Sequence, residues 1–214
     1  MPRYSTEPID GAAYKRRNDR YYSRFARLYD RLVTVLPFWG RLLSRALPFI
    51  EGPRVLEVSF GTGYLLTQYA GRVEAHGIDL NAQIVAVARR NLRRVGLSAD
   101  LSQGDVEALP YPDASFDTVV CTAAFSGYPD AHQALSEMLR VLRPDGRLVL
   151  IDVGYPTDGN RLGTWLTRFW KLTDLIRDMD ALFESFDLRV THESVGGWGS
   201  IHLWVATRAT AGHA

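Results

Sequence analysis

Val55-Leu56-Glu57-Val58-Ser59-Phe60-Gly61-Thr62-Gly63 decides the fold of this chain. A short run of apolar residues, broken only by Glu57, enters a glycine-rich turn, and the residues after it read as a helix. A strand that stops at such a turn leaves backbone N–H groups bare at a helix start, where the polar end of a nucleotide-like ligand can sit. Gly61 and Gly63 lack a Cβ, so ligand atoms can come close to the backbone. A plain strand-to-helix turn would use glycines in the same way. The stretches that follow separate the two readings.

Val73-Glu74-Ala75-His76-Gly77-Ile78-Asp79-Leu80 reads as a second strand ending in an acid. It comes about twenty residues after the glycines, the spacing at which a carboxylate can accept hydrogen bonds from ribose hydroxyls. The alternative for Asp79 is a helix N-cap ahead of Asn81-Ala82-Gln83. Gly104-Asp105-Val106 closes a third strand on another acid, which could equally be a plain strand end. Ser115-Phe116-Asp117-Thr118-Val119-Val120-Cys121 is nearly continuous in apolar residues, as a parallel strand covered on both faces should be. Strands and helices alternate to residue 153, which predicts an α/β fold with a parallel sheet.

Together with Leu139-Arg140-Val141-Leu142-Arg143-Pro144-Asp145-Gly146-Arg147-Leu148, these stretches resemble the class I S-adenosylmethionine-dependent methyltransferases. The nearest likeness is to the small-molecule branch that includes the C-methyltransferases of ubiquinone and menaquinone biosynthesis. It covers residues 21–153 well and the remainder in outline. The resemblance implies a three-layer sandwich with a seven-stranded, mostly parallel sheet, its last strand antiparallel, and N-terminal helices as a lid. It implies S-adenosylmethionine as cofactor, with Glu57 steadying the glycine loop and helping the methionine end, and Asp79 on both ribose hydroxyls. Leu80 would pack on the adenine, Asp105 would reach the adenine amine, and Val106 would add a backbone contact. Ser59, Phe60, Gly61, Thr62, Gly63, Cys121 and Tyr29 complete the implied cofactor set. Ser59 departs from the pattern, standing where the family usually has its first glycine.

Composition agrees with one enzyme domain. The 214 residues, 46% of them hydrophobic, suffice for a full core. The single cysteine, Cys121, excludes an internal disulfide, fits a reducing compartment, and reads as a buried apolar residue before a nucleophile. No signal-peptide pattern and no membrane-length apolar run is seen, so the expected location is cytoplasmic. Histidine, cysteine and acid spacings suggest no metal site. A net charge of +1 gives no pull toward nucleic acid.

Residues 1–13 read as a flexible tail and 14–214 as one domain with a helical cap over 14–50, two helices parted at Pro37. Arg16, Arg20, Arg24, Arg27 and Arg31 form a stripe beside Tyr21, Phe25, Leu28, Leu32 and Val35. Such a helix could touch an anionic membrane, but packing on the domain with a solvated basic face is preferred. A helix over 160–184 would carry Leu162, Trp165, Phe169, Leu172, Ile176, Met179 and Phe183 on one core face. Strands over 188–194 and 201–207 finish the chain, and Asp130 with Gln133 reads as a capping box.

Methyl transfer from a sulfonium asks mainly for alignment, so a base is needed only if the acceptor must lose a proton. Tyr128, Tyr155 and His132 are the candidates for that role, with His192 and His202 more remote. The acceptor is expected to be a small apolar or aromatic molecule, meeting the loops 122–130 and 153–156 and the aromatics Phe125, Tyr128, Tyr155, Trp165, Phe169 and Trp170. Alternatives are a lipid head group at a membrane surface, an NAD-dependent oxidoreductase, and a non-catalytic cofactor-binding module. The oxidoreductase reading is weakened because Leu66 stands where its third fingerprint glycine belongs.

Overall fold

The computed structural model describes residues 4–5, 11, 13, 16, 37–172 and 175–209. Tyr29 and the arginine stripe at 20–31 lie outside the described residues, as does nearly all of the proposed tail and of the first cap helix. The chain forms a seven-stranded sheet of order β3-β2-β1-β4-β5-β7-β6. Its strands are β1 (Arg54–Val58), β2 (Glu74–Asp79), β3 (Asp100–Gln103), β4 (Phe116–Thr122), β5 (Leu142–Val153), β6 (Leu188–Gly196) and β7 (Ile201–Arg208). The strands β1 to β5 pair in parallel, and β7 runs antiparallel to both β5 and β6.

Burial explains the order. In β1 every residue after Arg54 is buried, and in β4 every residue but Asp117, so both belong at the centre with both faces covered. The edge strands β3 and β6 keep polar side chains in water. One face packs Leu56, Val58 and Phe116 against Leu135 and Met138 of α4 (Ala131–Val141) and Met179 and Phe183 of α6 (Met179–Glu184). The other packs Val55, Val120 and Val149 against α1 (Pro37–Leu43), α2 (Leu66–Tyr69) and α3 (Ala82–Arg94). The result is the expected three layers. Asn81 caps α3 by accepting from the N–H groups of Gln83 and Ile84, so the capping role falls to Asn81 and not to Asp79.

Three local expectations are corrected. The helix after Gly63 is a single turn, α2, preceded by turns at 61–65. The cap helix expected over 38–50 changes to a 3-10 stretch at Ser44–Phe49, which contains Pro48. The long helix over 160–184 is two: α5 (Arg161–Trp170) and α6, where Asp178 accepts from the Ala181 N–H and starts the second. Ile176, Met179 and Phe183 are buried as expected, whereas Leu162, Trp165, Phe169 and Leu172 face solvent.

Candidate active site

The sheet order reverses at β1, and a cavity of about 1260 Å³, counting its open mouth, lies beyond the carboxyl ends of β1, β2 and β4. Its floor is the turn after β1. The Ser59 N–H donates to the Ile78 carbonyl at 2.7 Å, and Ser59 sits at φ +50°. Gly61 has φ +55° and nothing within 4 Å of where its Cβ would be, so the space above it opens to the cavity. Gly63 does something else. A Cβ there would stand 3.0 Å from the Ala88 Cβ of α3, so this glycine permits helix packing and forms no part of the cavity wall. Asn91 of α3 fastens the same turn by donating to the Thr62 carbonyl at 3.0 Å.

Three acids border this floor. The Asp79 Oδ2 accepts from the Gly61 N–H at 3.3 Å and its Oδ1 from the Asn81 N–H at 3.0 Å, which fixes the carboxylate at the rim. Asp105 lies just past β3 and accepts from the Glu107 N–H, starting the short 3-10 turn Val106–Ala108. Leu80, Ile84 and Val106 give the adjoining wall an apolar surface. Glu57 is buried in the cavity's base, and its observed partner is the Tyr69 hydroxyl, donating at 3.0 Å. Burial pushes the Glu57 carboxyl up to about 8, against the smaller opposing effect of that hydrogen bond.

The opposite wall is the loop after β4, from Thr122 to Pro129. Asp152, buried near the end of β5, holds it by accepting from the Ser126 N–H at 2.8 Å and the Ser126 hydroxyl at 3.0 Å. Arg177 donates to the carbonyls of Tyr128 and Pro129 at 2.7 and 3.0 Å. Sequence reasoning missed both residues. Asp152 offered a signal, being a strand-terminal acid like Asp79; Arg177, in an irregular connection, offered none.

Tyr128 lines the cavity, donates to Ser59 across it, and has its phenol pushed well above the usual range by burial, so it holds its proton. Cys121 is fully buried beneath the wall, 3.5 Å from the Tyr128 oxygen, and does not itself line the cavity. Burial pushes its thiol up, as a packed residue's should be. Tyr155 stacks edge-on against Tyr4 away from the cavity wall. His132 is exposed, packs on Phe186, and lines a separate groove beside α6. His202 and His192 pair with each other at 2.8 Å in the β6–β7 ladder, also off the cavity wall. Of the aromatics expected near the acceptor, only Tyr128 reaches the cavity; Phe125 is buried below it and Trp165 and Phe169 are exposed. No group of three metal-ligating side chains occurs among the described residues.

These parts suit a nucleoside carrying a cationic tail. The Gly61 backbone leaves room for close approach, the Asp79 carboxylate stands at the rim, the wall at Leu80 and Val106 is apolar, and Glu57 is a buried carboxyl with no cation beside it in its observed contacts.

Comparison with known proteins agrees. Residues 56–150 match the family model described as a methyltransferase domain. Over 146 residues, 64% of this chain, the sequence is 38% identical to the demethylmenaquinone methyltransferase of Deinococcus radiodurans, spanning 61% of that protein. Over 135 residues, 62% of this chain, it is 37% identical to a phosphatidylethanolamine N-methyltransferase of Cereibacter sphaeroides, spanning 66% of it. The matched region thus falls short of two thirds of these relatives' lengths. Among solved structures, a SAM-dependent methyltransferase of Thermotoga maritima, titled a possible histamine N-methyltransferase, superposes with a TM-score of 0.68 at 19% identity, covering 88% of this chain and 98% of that one. At that identity the superposition establishes the shared fold.

Proposed function

We propose that this chain, whose residues 56–150 are a methyltransferase domain with S-adenosylmethionine as its methyl donor, transfers the methyl group to a small aromatic acceptor of the quinol type. The supporting observation is the cavity itself: an acid-rimmed glycine turn on one side and a loop of mostly small, uncharged residues on the other, joined at Tyr128. S-adenosylmethionine supplies a methyl group already activated on a sulfonium. Asp79 would hold its ribose hydroxyls, Asp105 its adenine edge, and the ionised Glu57 would face its positive charge.

What remains for the protein is alignment. Holding acceptor and donor in near-attack geometry can lower a barrier by roughly 7–11 kcal/mol. The described cavity wall carries no histidine, lysine or arginine, and Tyr128 keeps its proton. An acceptor that can itself give up a proton, as an aromatic hydroxyl does, suits such a wall. The 37% identity to a phosphatidylethanolamine methyltransferase carries a second reading, transfer to a lipid amine.

Labelled-methyl transfer separates them. The purified protein is given labelled S-adenosylmethionine with demethylmenaquinol, phosphatidylethanolamine micelles, and soluble phenols and amines in parallel. Label on the quinol ring is the expected result. Label on the lipid amine alone would replace the first reading with the second.

A further inference from the structure

The helix α5 is amphipathic the wrong way round. Its buried positions are Gly163 and Thr167. A Cβ at Gly163 would lie 2.1 Å from the Trp198 carbonyl oxygen, and the Thr167 hydroxyl donates to the Gly154 carbonyl at 2.7 Å. Small and polar contacts thus pin this side of the helix to the domain, and no larger side chain can take their place. The side turned outward carries Leu162, Trp165 and Phe169, followed just past the helix by Leu172, all between 59% and 79% exposed. Trp165 and Phe169 stack on each other, with ring centroids 6.1 Å apart.

At 100° per residue, these four span one arc with Arg161 and Arg168 along its border, both exposed. Residues 161–172 contain three basic side chains and no acid. To the side of this arc, half-buried Trp170 stacks on Trp39 of α1, where Phe38 and Arg41 are also exposed.

We infer that this face of α5 lies on an anionic lipid surface. Aromatic and aliphatic side chains bordered by arginines match the acyl boundary and the phosphates of such a surface, with the helix in the interfacial plane. A second copy of the chain suits it less, because an isologous pair would set Arg161 and Arg168 against arginines of the same arc with no acid to meet them. The inference stands apart from the methyl acceptor: a soluble acceptor or a lipid-dissolved one would leave the face unchanged. No helix among the described residues is long and apolar enough to cross a membrane.

Sedimentation with vesicles tests it. The full chain is mixed with vesicles of phosphatidylglycerol alone or of phosphatidylcholine alone, beside the variants Trp165→Ser/Phe169→Ser and Arg161→Glu/Arg168→Glu. The expected result is pelleting with phosphatidylglycerol that weakens with added salt, and an affinity lowered by more than about tenfold in each variant. Both variants should keep wild-type circular dichroism and S-adenosylmethionine binding, since the altered side chains are exposed and away from the cavity. Wild type that stays in the supernatant overturns the inference. Variants that pellet as wild type does also overturn it, because binding would then lie elsewhere, as at the arginine stripe of 16–31. A wild-type dimer that the aromatic variant converts to monomer, without vesicle binding, assigns the face to self-association instead.

Discussion

The Tyr128 phenol donates a 2.8 Å hydrogen bond to the Ser59 hydroxyl, tying the loop after β4 to the turn after β1. With that proton committed to Ser59, the Cys121 thiol, 3.5 Å from the same phenol, is left to donate to the Tyr128 oxygen. Burial raises the thiol and the phenol alike, so both stay protonated and the chain of donors keeps one direction. The relationship also gives Ser59 a role at a position where the family resemblance implies glycine: its hydroxyl holds the loop after β4 in place.

Removing either end should cost similar amounts. Tyr128→Phe and Ser59→Ala are each expected to lower unfolding stability by about 1 kcal/mol, and the double variant by less than the sum. Because Ser59 sits at φ +50°, Ser59→Gly loses the bond but relieves the left-handed backbone. It should be about 1 kcal/mol more stable than Ser59→Ala. Urea denaturation of the four variants beside wild type measures all of this, and full additivity would mean the two hydroxyls do not interact.

Glu57 predicts a pH dependence. Folded, its carboxyl holds a proton up to about pH 8, against an ordinary value of 4.5 for the free group. Its contribution to stability is therefore complete below about pH 4.5 and is lost as the pH rises through about 8. Over that window it should lower wild-type stability by up to about 1.4 kcal/mol per pH unit. Glu57→Gln cannot ionise, so its stability should lack this slope and exceed that of wild type at alkaline pH. The same variant should bind the cationic donor more weakly, the wild type binding it more tightly as pH rises. Denaturation and titration across pH 5 to 9 read both effects.

The two glycines of the turn should fail differently. Gly61→Ala places a methyl group into open cavity space at φ +55°, so it should weaken donor binding while costing about 1 kcal/mol of stability. Gly63→Ala meets the Ala88 methyl at 3.0 Å and φ +76°, so its loss should appear first in the melting temperature. A Gly63→Ala protein of unchanged stability would show that α3 yields readily at this contact.

Much of this was readable from periodicity and punctuation. The buried strands β1 and β4 announce themselves as apolar runs, and Asp79 and Asp105 mark strand ends at regular intervals. The Asp130 cap is present, but only by half: Asp130 accepts from the Gln133 N–H, while the Gln133 side chain donates to the Glu107 carbonyl. Two things were hidden. Asp152 stands at a strand end as Asp79 does, but its contact with Ser126, 26 residues distant, and that of Arg177 with Tyr128, 49 distant, are encoded in no local pattern. The helical spacing of Leu162, Trp165 and Phe169 is genuine, yet spacing reports which residues share a face and is silent on whether that face turns inward. Here Gly163 and Thr167 took the inner side.

Calorimetric titration with S-adenosylmethionine, and with NAD in parallel, on wild type and Asp79→Ala bears most directly on the donor site. Asp79 should supply two charge-assisted hydrogen bonds to the ribose, each worth about 1.5–3 kcal/mol. The wild type is expected to bind S-adenosylmethionine at one site and to ignore NAD, and the folded Asp79→Ala variant to bind the donor at least about tenfold more weakly. A folded Asp79→Ala protein that binds S-adenosylmethionine as tightly as wild type, or a wild type that takes NAD in its place, would contradict the assignment.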